Sequence, residues 1–164
     1  MEPEVIVHKE SLDKARLSVV RWLRFRSRSR REVELYLEKK GFAREISAAL
    51  LDELQEYRYI DDLRFTEEYI QSCLGRGFGQ NRVRSELTKK GIDRELIGEA
   101  IKQHFAVEHE LIRVVALLER RAKRIVAPDQ KWVRQQFSFL KGRGFSENVI
   151  MQALKQYCRD LIED

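Results

Sequence analysis

Three copies of a glycine-containing pattern constrain the fold more than any other feature of this sequence. The copies are LEKKGF, LTKKGI and LKGRGF, in which Leu precedes two variable residues, a basic residue, glycine and an apolar residue. Their glycines, Gly41, Gly91 and Gly144, are 50 and 53 positions apart. Such a period is typical of a repeated supersecondary unit, so the sequence predicts three related units of about 50 residues.

The repeated pattern has the form of a helix C-terminus. A glycine just after a helix adopts positive φ without steric cost, and the apolar residues on either side of it then touch. With Gly41 in this position, Leu37 and Phe42 form the apolar pair, and Lys40 lies beside the negative helix end. The other two copies reproduce the arrangement. We therefore expect Gly41, Gly91 and Gly144 to be structural helix caps with positive φ.

The remaining composition favours helices throughout. Only 2 prolines and 8 glycines interrupt 164 residues, and apolar residues recur at helical spacing before and after each predicted cap. Each unit is expected to contain three helices, the first of which span residues 13–25, 63–74 and 108–126. In the first unit, Ser29 and Glu32 have the spacing of a capping box. The fold prediction is all-α, with three tandem three-helix repeats at 1–60, 61–106 and 107–164 packed into an elongated, solenoid-like protein.

Two adjacent aspartates, Asp61 and Asp62, are the strongest candidates for acid–base or metal chemistry. They lie where the second unit begins, so a simpler function is to start its first helix. Either Asp61 is the N-cap and Asp62 the first helical residue, or Asp62 is the cap and Asp61 pairs with a nearby arginine. No histidine accompanies them, and the two cysteines lack a metal-ligand spacing. We interpret both aspartates as structural caps and predict no catalytic residue, metal or cofactor.

Positive charge is the clearest functional signal. Lys and Arg number 32 against 27 Asp and Glu, giving a net charge of +5, which favours an anionic partner. The segment from Arg21 to Arg31 contains six arginines and no acidic residue. It is either a solvated face or a contact surface for phosphates or acidic protein groups. The candidate contact residues are Arg24, Arg26, Arg28, Arg30, Arg31, Arg76, Arg82, Arg84, Lys89 and Lys90.

One long stretch, YIDDLRFTEEYIQSCLGRGFGQNRVRSELTKKGI, resembles the signature region of the RecX family of bacterial regulators of the RecA recombinase. The matching features are the aromatic-Ile-Asp-Asp start, the Arg76-Gly77-Phe78-Gly79 run, and Lys90-Gly91-Ile92 at the end. The resemblance extends less sharply over nearly the whole chain. Cys73-Leu74-Gly75 departs from the pattern, because the family commonly has more basic residues there.

The resemblance implies a non-enzymatic regulator that binds RecA filaments on DNA and modulates, usually inhibits, ATP hydrolysis and strand exchange during recombination, repair and the SOS response. The alternative is a helical module that binds single- or double-stranded DNA directly through its arginines. The N-terminus lacks the charge and long apolar run of a signal peptide, and no apolar run is long enough to span a bilayer. We expect a cytoplasmic monomer without membrane contact.

Overall fold

The computed structural model describes residues 3–122 and 129–163, and these residues form helices connected by short turns. No strand occurs within them. The nine helices of the described residues are α1 (Pro3–Leu23), α2 (Arg30–Lys39), α3 (Arg44–Glu56), α4 (Asp62–Gly75), α5 (Gln80–Lys89), α6 (Arg94–His104), α7 (Val107–Ala122), α8 (Gln130–Gly142) and α9 (Glu147–Glu163).

The helices form two compact units. Unit 1 comprises Met1–Glu68 with Thr88–Asp93, and unit 2 comprises Tyr69–Leu87 with Arg94–Asp164. Helices α4 and α5 are therefore divided between the two units. The all-α prediction is confirmed, whereas the boundaries after residues 60 and 106 stay a prediction.

The core of unit 1 is made by α1, α2 and α3, which all pack on one another. Val19, Val33, Leu37 and Leu50 are completely buried, because each lies on the apolar stripe of its helix. Trp22 and Tyr36 extend this core: their rings stack with centroids 4.3 Å apart. The tyrosine hydroxyl lies 2.7 Å from Ser18 Oγ, within hydrogen-bond distance.

The core of unit 2 is centred on α9, which packs on α7 and α8. Val114, Leu118, Leu140 and Ile150 are completely buried there. Each helix supplies residues at i and i+4 positions, the spacing that places side chains on one face. This burial shows that the third copy of the repeat forms a packed core.

The repeated glycines end helices as the pattern indicates. Their φ angles are 81° at Gly41, 74° at Gly91 and 87° at Gly144. At Gly41 the amide donates to Glu38 and the next amide, that of Phe42, donates to Leu37, which is the hydrogen-bond pair of a Schellman motif. A further cap of this kind, Gly77 with φ 69°, lies outside the repeated pattern and was not predicted.

Several helix boundaries differ from the sequence prediction. Helix α1 begins at Pro3 rather than near residue 13, because residues 3–12 continue the helix. Helix α7 is described only to Ala122, so the predicted extension to residue 126 lies outside the described residues. The Ser29–Glu32 capping box is present as predicted. Within the described part of the chain, no helix is both long and apolar enough to cross a membrane.

Candidate functional site

The two aspartates occupy helix ends, with a separate hydrogen-bond role for each. Asp61 Oδ1 accepts from the amides of Leu63 and Arg64, at 2.9 and 3.1 Å, so Asp61 caps α4. Asp62 Oδ1 instead accepts from the amide of Arg30 at 2.8 Å, so its carboxylate caps the start of α2. Burial raises the pKa of Asp62, although the Arg30 amide bond opposes that shift. Among the described residues, no group of three or more His, Cys, Asp or Glu is placed to hold a metal ion.

The start of α2 is held by a network that we call the α2 junction, formed by residues 29–32, Asp62 and residues 90–91. Ser29 Oγ accepts from the Glu32 amide at 3.1 Å and donates to the Lys90 carbonyl at 2.7 Å. Glu32 accepts from Lys90 Nζ at 3.2 Å and from Arg26 at 2.7 Å. Burial opposes ionisation of Glu32, but these donors and the Ser29 amide outweigh it and lower the pKa of this carboxyl. The Glu32 carboxylate is therefore held by two cations.

An equivalent network, the α5 junction, lies in unit 2 and consists of residues 79–82, Glu110 and residues 143–144. The Gly79 amide donates to the Arg143 carbonyl at 2.9 Å. The Gln80 amide donates to Glu110 Oε1 at 3.0 Å, and Gln80 Nε2 donates to Oε2 at 3.0 Å. Glu110 is completely buried, and burial raises its pKa. In both junctions, the middle helix of one repeat is capped by a carboxylate from the first helix of the next repeat.

The predicted arginines of unit 1 do not form one free surface. Arg26 pairs with Glu32, Arg30 with Asp52 at 2.8 Å, and Arg31 with Glu34 at 2.5 Å. Arg28 is half-buried, with its guanidinium 4.1 Å from the centre of the Trp22 ring. Arg28 is therefore not a freely exposed contact residue, because the ring of Trp22 covers its guanidinium. Burial and the charge of Arg26 lower the pKa of Arg28.

Arg24 lines a cavity of about 360 Å³ in unit 1. Arg28, Arg58 and Arg64 share the lining, and of these three only Arg28 is among the predicted contact residues. Two aromatic side chains nearby in the sequence are well exposed, Phe25 at 84% and Tyr59 at 64%. Arg58 has φ 56°, a conformation that non-glycine residues seldom adopt. The cavity thus combines arginine side chains with one exposed ring, that of Tyr59.

The predicted arginines of unit 2 surround one aromatic ring. The guanidinium carbon of Arg82 lies 4.0 Å from the centre of the Phe78 ring, and that of Arg76 lies 4.9 Å from it. Arg143 was not among the predicted contact residues, and its guanidinium carbon lies 5.7 Å from the same ring centre. Three further predicted contact residues also take part in intramolecular interactions: Arg84 of unit 2, and Lys89 and Lys90 of unit 1. The repeat alignment could have found Arg143, since it occupies the position of Lys90 in the next copy.

These observations define a class: a protein of tandem three-helix repeats whose middle helices are capped by carboxylates and whose surface carries clustered arginines. Two family models match the chain, the first three-helix domain of RecX over residues 15–54 and the second over residues 61–101. A regulatory protein RecX of Vibrio parahaemolyticus is 33% identical over 131 residues, which are 77% of this chain and 83% of that protein. The chain belongs to the RecX family of regulatory proteins.

Other relatives agree with this assignment. A regulatory protein RecX of Oceanobacillus iheyensis is 29% identical over 98% of this chain, which spans only 58% of that longer protein. The crystal structure of RecX from Lactobacillus salivarius superposes with a TM-score of 0.80 at 20% identity, covering 91% of this chain and 97% of that one. At this identity the structural likeness supports the fold.

Proposed function

We propose that this protein binds RecA nucleoprotein filaments and inhibits their ATP hydrolysis and strand exchange, without catalysing a reaction itself. Its membership in a family of regulatory proteins carries this proposal. The resemblance of the 59–92 segment to RecX regulators of RecA supplies the partner. The basic surface supports it, since a nucleoprotein filament offers both phosphates and acidic protein groups.

A binding protein changes a filament's activity only if it binds the filament's states unequally. The proposed regulator therefore binds the inactive or disassembling state more tightly than the active state. Because Arg26, Arg30 and Arg31 are already paired within unit 1, reversing their charge would also break internal contacts. Arg24 is exposed and lines the unit 1 cavity, so it is the cleanest probe of this surface.

Co-sedimentation with preassembled RecA–single-stranded DNA filaments tests the proposal. The wild-type protein is expected to sediment with the filament and to lower its ATPase rate. Arg24→Glu is expected to weaken both effects, more than Arg24→Ala, and the difference should shrink as salt rises. Arg94→Glu is a matched control, because Arg94 is exposed, is not among the predicted contact residues, and an acidic residue suits the first turn of α6. Full inhibition by Arg24→Glu would remove Arg24 from the contact surface. Absence of any wild-type binding would contradict the proposed function.

A second candidate function is direct binding of DNA, favoured by the unit 1 cavity. Its arginines could contact phosphates, and the exposed ring of Tyr59 could stack on a base. The same series on naked DNA separates the two functions. Equal losses with and without recombinase would support the DNA-binding module, and losses seen only with the filament would support recombinase contact.

A further inference from the structure

Unit 2 contains a cavity of about 380 Å³ whose charged lining is entirely basic. We call it the arginine cavity. Its charged lining residues are Arg76, Arg113, Arg120 and Arg143, and none of the residues described around it is acidic. Arg76 and Arg143 donate hydrogen bonds to backbone carbonyls, but these neutral acceptors do not offset the repulsion among four cations around one small space. The positive charge of the cavity lining is therefore not balanced by any acidic residue of that lining.

The charge imbalance is clearest at Arg113. Its Nε and Nη2 atoms are buried, and neither has a hydrogen-bond partner among the described residues. A buried donor without a partner costs about 1–3 kcal/mol, and more when it is charged. The acidic group that acts on Arg113 is Glu110, but both oxygens of Glu110 already accept hydrogen bonds from Gln80. The positive charge of Arg113 is therefore only partly offset by the acidic groups described around it.

Comparison with unit 1 shows which group is missing. Asp62 and Glu110 are equivalent, since each accepts the first amide of a middle helix. Six residues later the first unit has Glu68 and the second has Ala116. Glu68 accepts from Ser27 and from Arg64, whereas Ala116 lines the arginine cavity and has no polar group. Unit 1 supplies its own carboxylate where unit 2 has none.

The lining of the cavity favours a carboxylate from a protein over a phosphate from a nucleic acid. Leu74 and Leu117 provide apolar contacts beside the guanidinium groups, which suits the methylene groups of a glutamate. The nearby Phe78 ring is approached by the guanidinium groups of Arg76, Arg82 and Arg143, so it is poorly placed to stack on a base. A nucleic acid strand would lack the stacking that usually accompanies phosphate contacts.

We propose that the arginine cavity binds an acidic side chain from an acidic segment of a partner protein. The acidic group takes the place that Glu68 occupies in unit 1, offsets the charge of Arg113 and pairs with the exposed Arg120. This inference deepens the proposed function, because it names the chemistry of the partner surface. Its test requires no recombinase, so either proposal can fail without the other.

The test measures fluorescence anisotropy of a fluorescein-labelled hexaglutamate peptide titrated with the full-length protein. The wild-type protein is expected to bind the peptide saturably, with affinity that falls as salt rises. Ala116→Glu supplies the missing carboxylate from within the chain, and Arg120→Glu replaces an exposed cation by an anion. Both variants are expected to weaken peptide binding by about tenfold or more.

Two controls keep the outcome specific. Arg134→Glu makes the same charge change on an exposed part of α8 and is expected to retain binding within about twofold of the wild type. Ala116→Gln adds the same bulk as Ala116→Glu without charge and should bind more tightly than it. Circular dichroism verifies that each variant keeps its helical content.

Three results would overturn the inference. The wild-type protein could fail to bind the peptide at millimolar concentration, or Arg134→Glu could lose as much affinity as Arg120→Glu, which would indicate unspecific attraction. Thirdly, a labelled oligothymidylate could bind with the same dependence on residues 116 and 120 while the peptide does not. That result would assign the cavity to a phosphate backbone instead.

Discussion

The α2 junction of unit 1 and the α5 junction of unit 2 perform one structural task with different chemistry. In unit 1 the hydroxyl of Ser29 bridges to the Lys90 carbonyl, and in unit 2 the backbone amide of Gly79 itself donates to the Arg143 carbonyl. The side-chain bridge leaves room for a Cβ at residue 29. At Gly79 an added Cβ would lie 2.5 Å from the Phe145 nitrogen and 2.6 Å from the Gly144 carbonyl carbon. The backbone segments approach too closely there for any side chain.

The two junctions also differ in charge. Glu32, which is paired with both Lys90 and Arg26 in unit 1, is replaced in the repeat by Arg82, fifty positions later. The α5 junction therefore gains a cation where the α2 junction has an anion. Because the Gly79 amide and the Glu110 carboxylate already hold the α5 junction, the side chain of residue 82 is free of that task. We infer that this freedom allows unit 2 to carry an unbalanced arginine cluster.

Exchanging the residues at the two junctions is expected to give the largest effect. Gly79→Ser places a Cβ against backbone atoms that cannot rotate away, so we expect a loss of about 3 kcal/mol or more of unfolding free energy. Ser29→Gly removes the bond to Lys90 and a side-chain cap, and we expect a loss of about 1–2 kcal/mol. Urea unfolding followed by circular dichroism measures both. A harmless Gly79→Ser would show that the two junctions are interchangeable.

Alanine at the three repeated glycines sharpens the comparison further. Gly41 has no heavy atom within 4 Å of an added Cβ, so Gly41→Ala should cost only the positive φ, about 1 kcal/mol. At Gly91 the added Cβ would lie 2.4 Å from the side chain of Arg31, which can adjust in part. At Gly144 it would lie 2.4 Å from the backbone nitrogen of Arg82.

The expected order of destabilisation is therefore Gly144→Ala, then Gly91→Ala, then Gly41→Ala, with the first about 3 kcal/mol. Thermal unfolding of the three variants under one buffer condition tests this order. If Gly41→Ala destabilises as much as Gly144→Ala, then positive φ alone explains the effects and the close junction contacts contribute nothing.

The sequence predicts the local features of this molecule well and its long-range contacts poorly. A glycine cap and a capping box depend on residues within one helix turn, so the spacing of Leu37, Gly41 and Phe42 is sufficient. The junction partners, by contrast, lie 61 residues apart for Ser29 and Lys90, and nothing local to Lys90 specifies them. The arginine cavity was missed for the same reason, because Arg113 and Arg120 fall outside every repeated motif.

Proton linkage is expected to give the two junctions opposite pH dependence. The pKa of Glu32 is lowered in the folded protein, so this carboxylate stabilises the fold above its unfolded pKa of about 4.3, and the contribution is lost as pH falls through the folded value. The pKa of Glu110 is raised. Its penalty is absent below about pH 4.3 and grows as pH rises through the folded pKa.

Unfolding free energies of the wild type, Glu32→Gln and Glu110→Gln between about pH 4 and pH 7 measure this contrast. The stability advantage of the wild type over Glu32→Gln should increase with pH, and its advantage over Glu110→Gln should decrease. Differences between each variant and the wild type cancel the titration of the other carboxyl groups. Two slopes of the same sign would contradict the assignment of a paired carboxylate to one junction and a buried one to the other.

The smallest expected effect concerns the helices that supply the capping carboxylates. Helix α4 begins after Asp61, whose side chain accepts two amides, whereas α7 begins after Ala106, which has no side-chain acceptor. Asp61→Ala should cost about 1 kcal/mol, and Asp61→Asn should cost less because the amide oxygen still accepts. Ala106→Asp should gain about 0.5 kcal/mol by giving α7 the cap that α4 has. Chemical denaturation resolves these differences when all four proteins are measured together. Since Asp61 also lines the unit 1 cavity, the same variants separate capping from binding: a fully stable Asp61→Asn that no longer binds filament would show that this carboxylate contacts the partner as well as the helix.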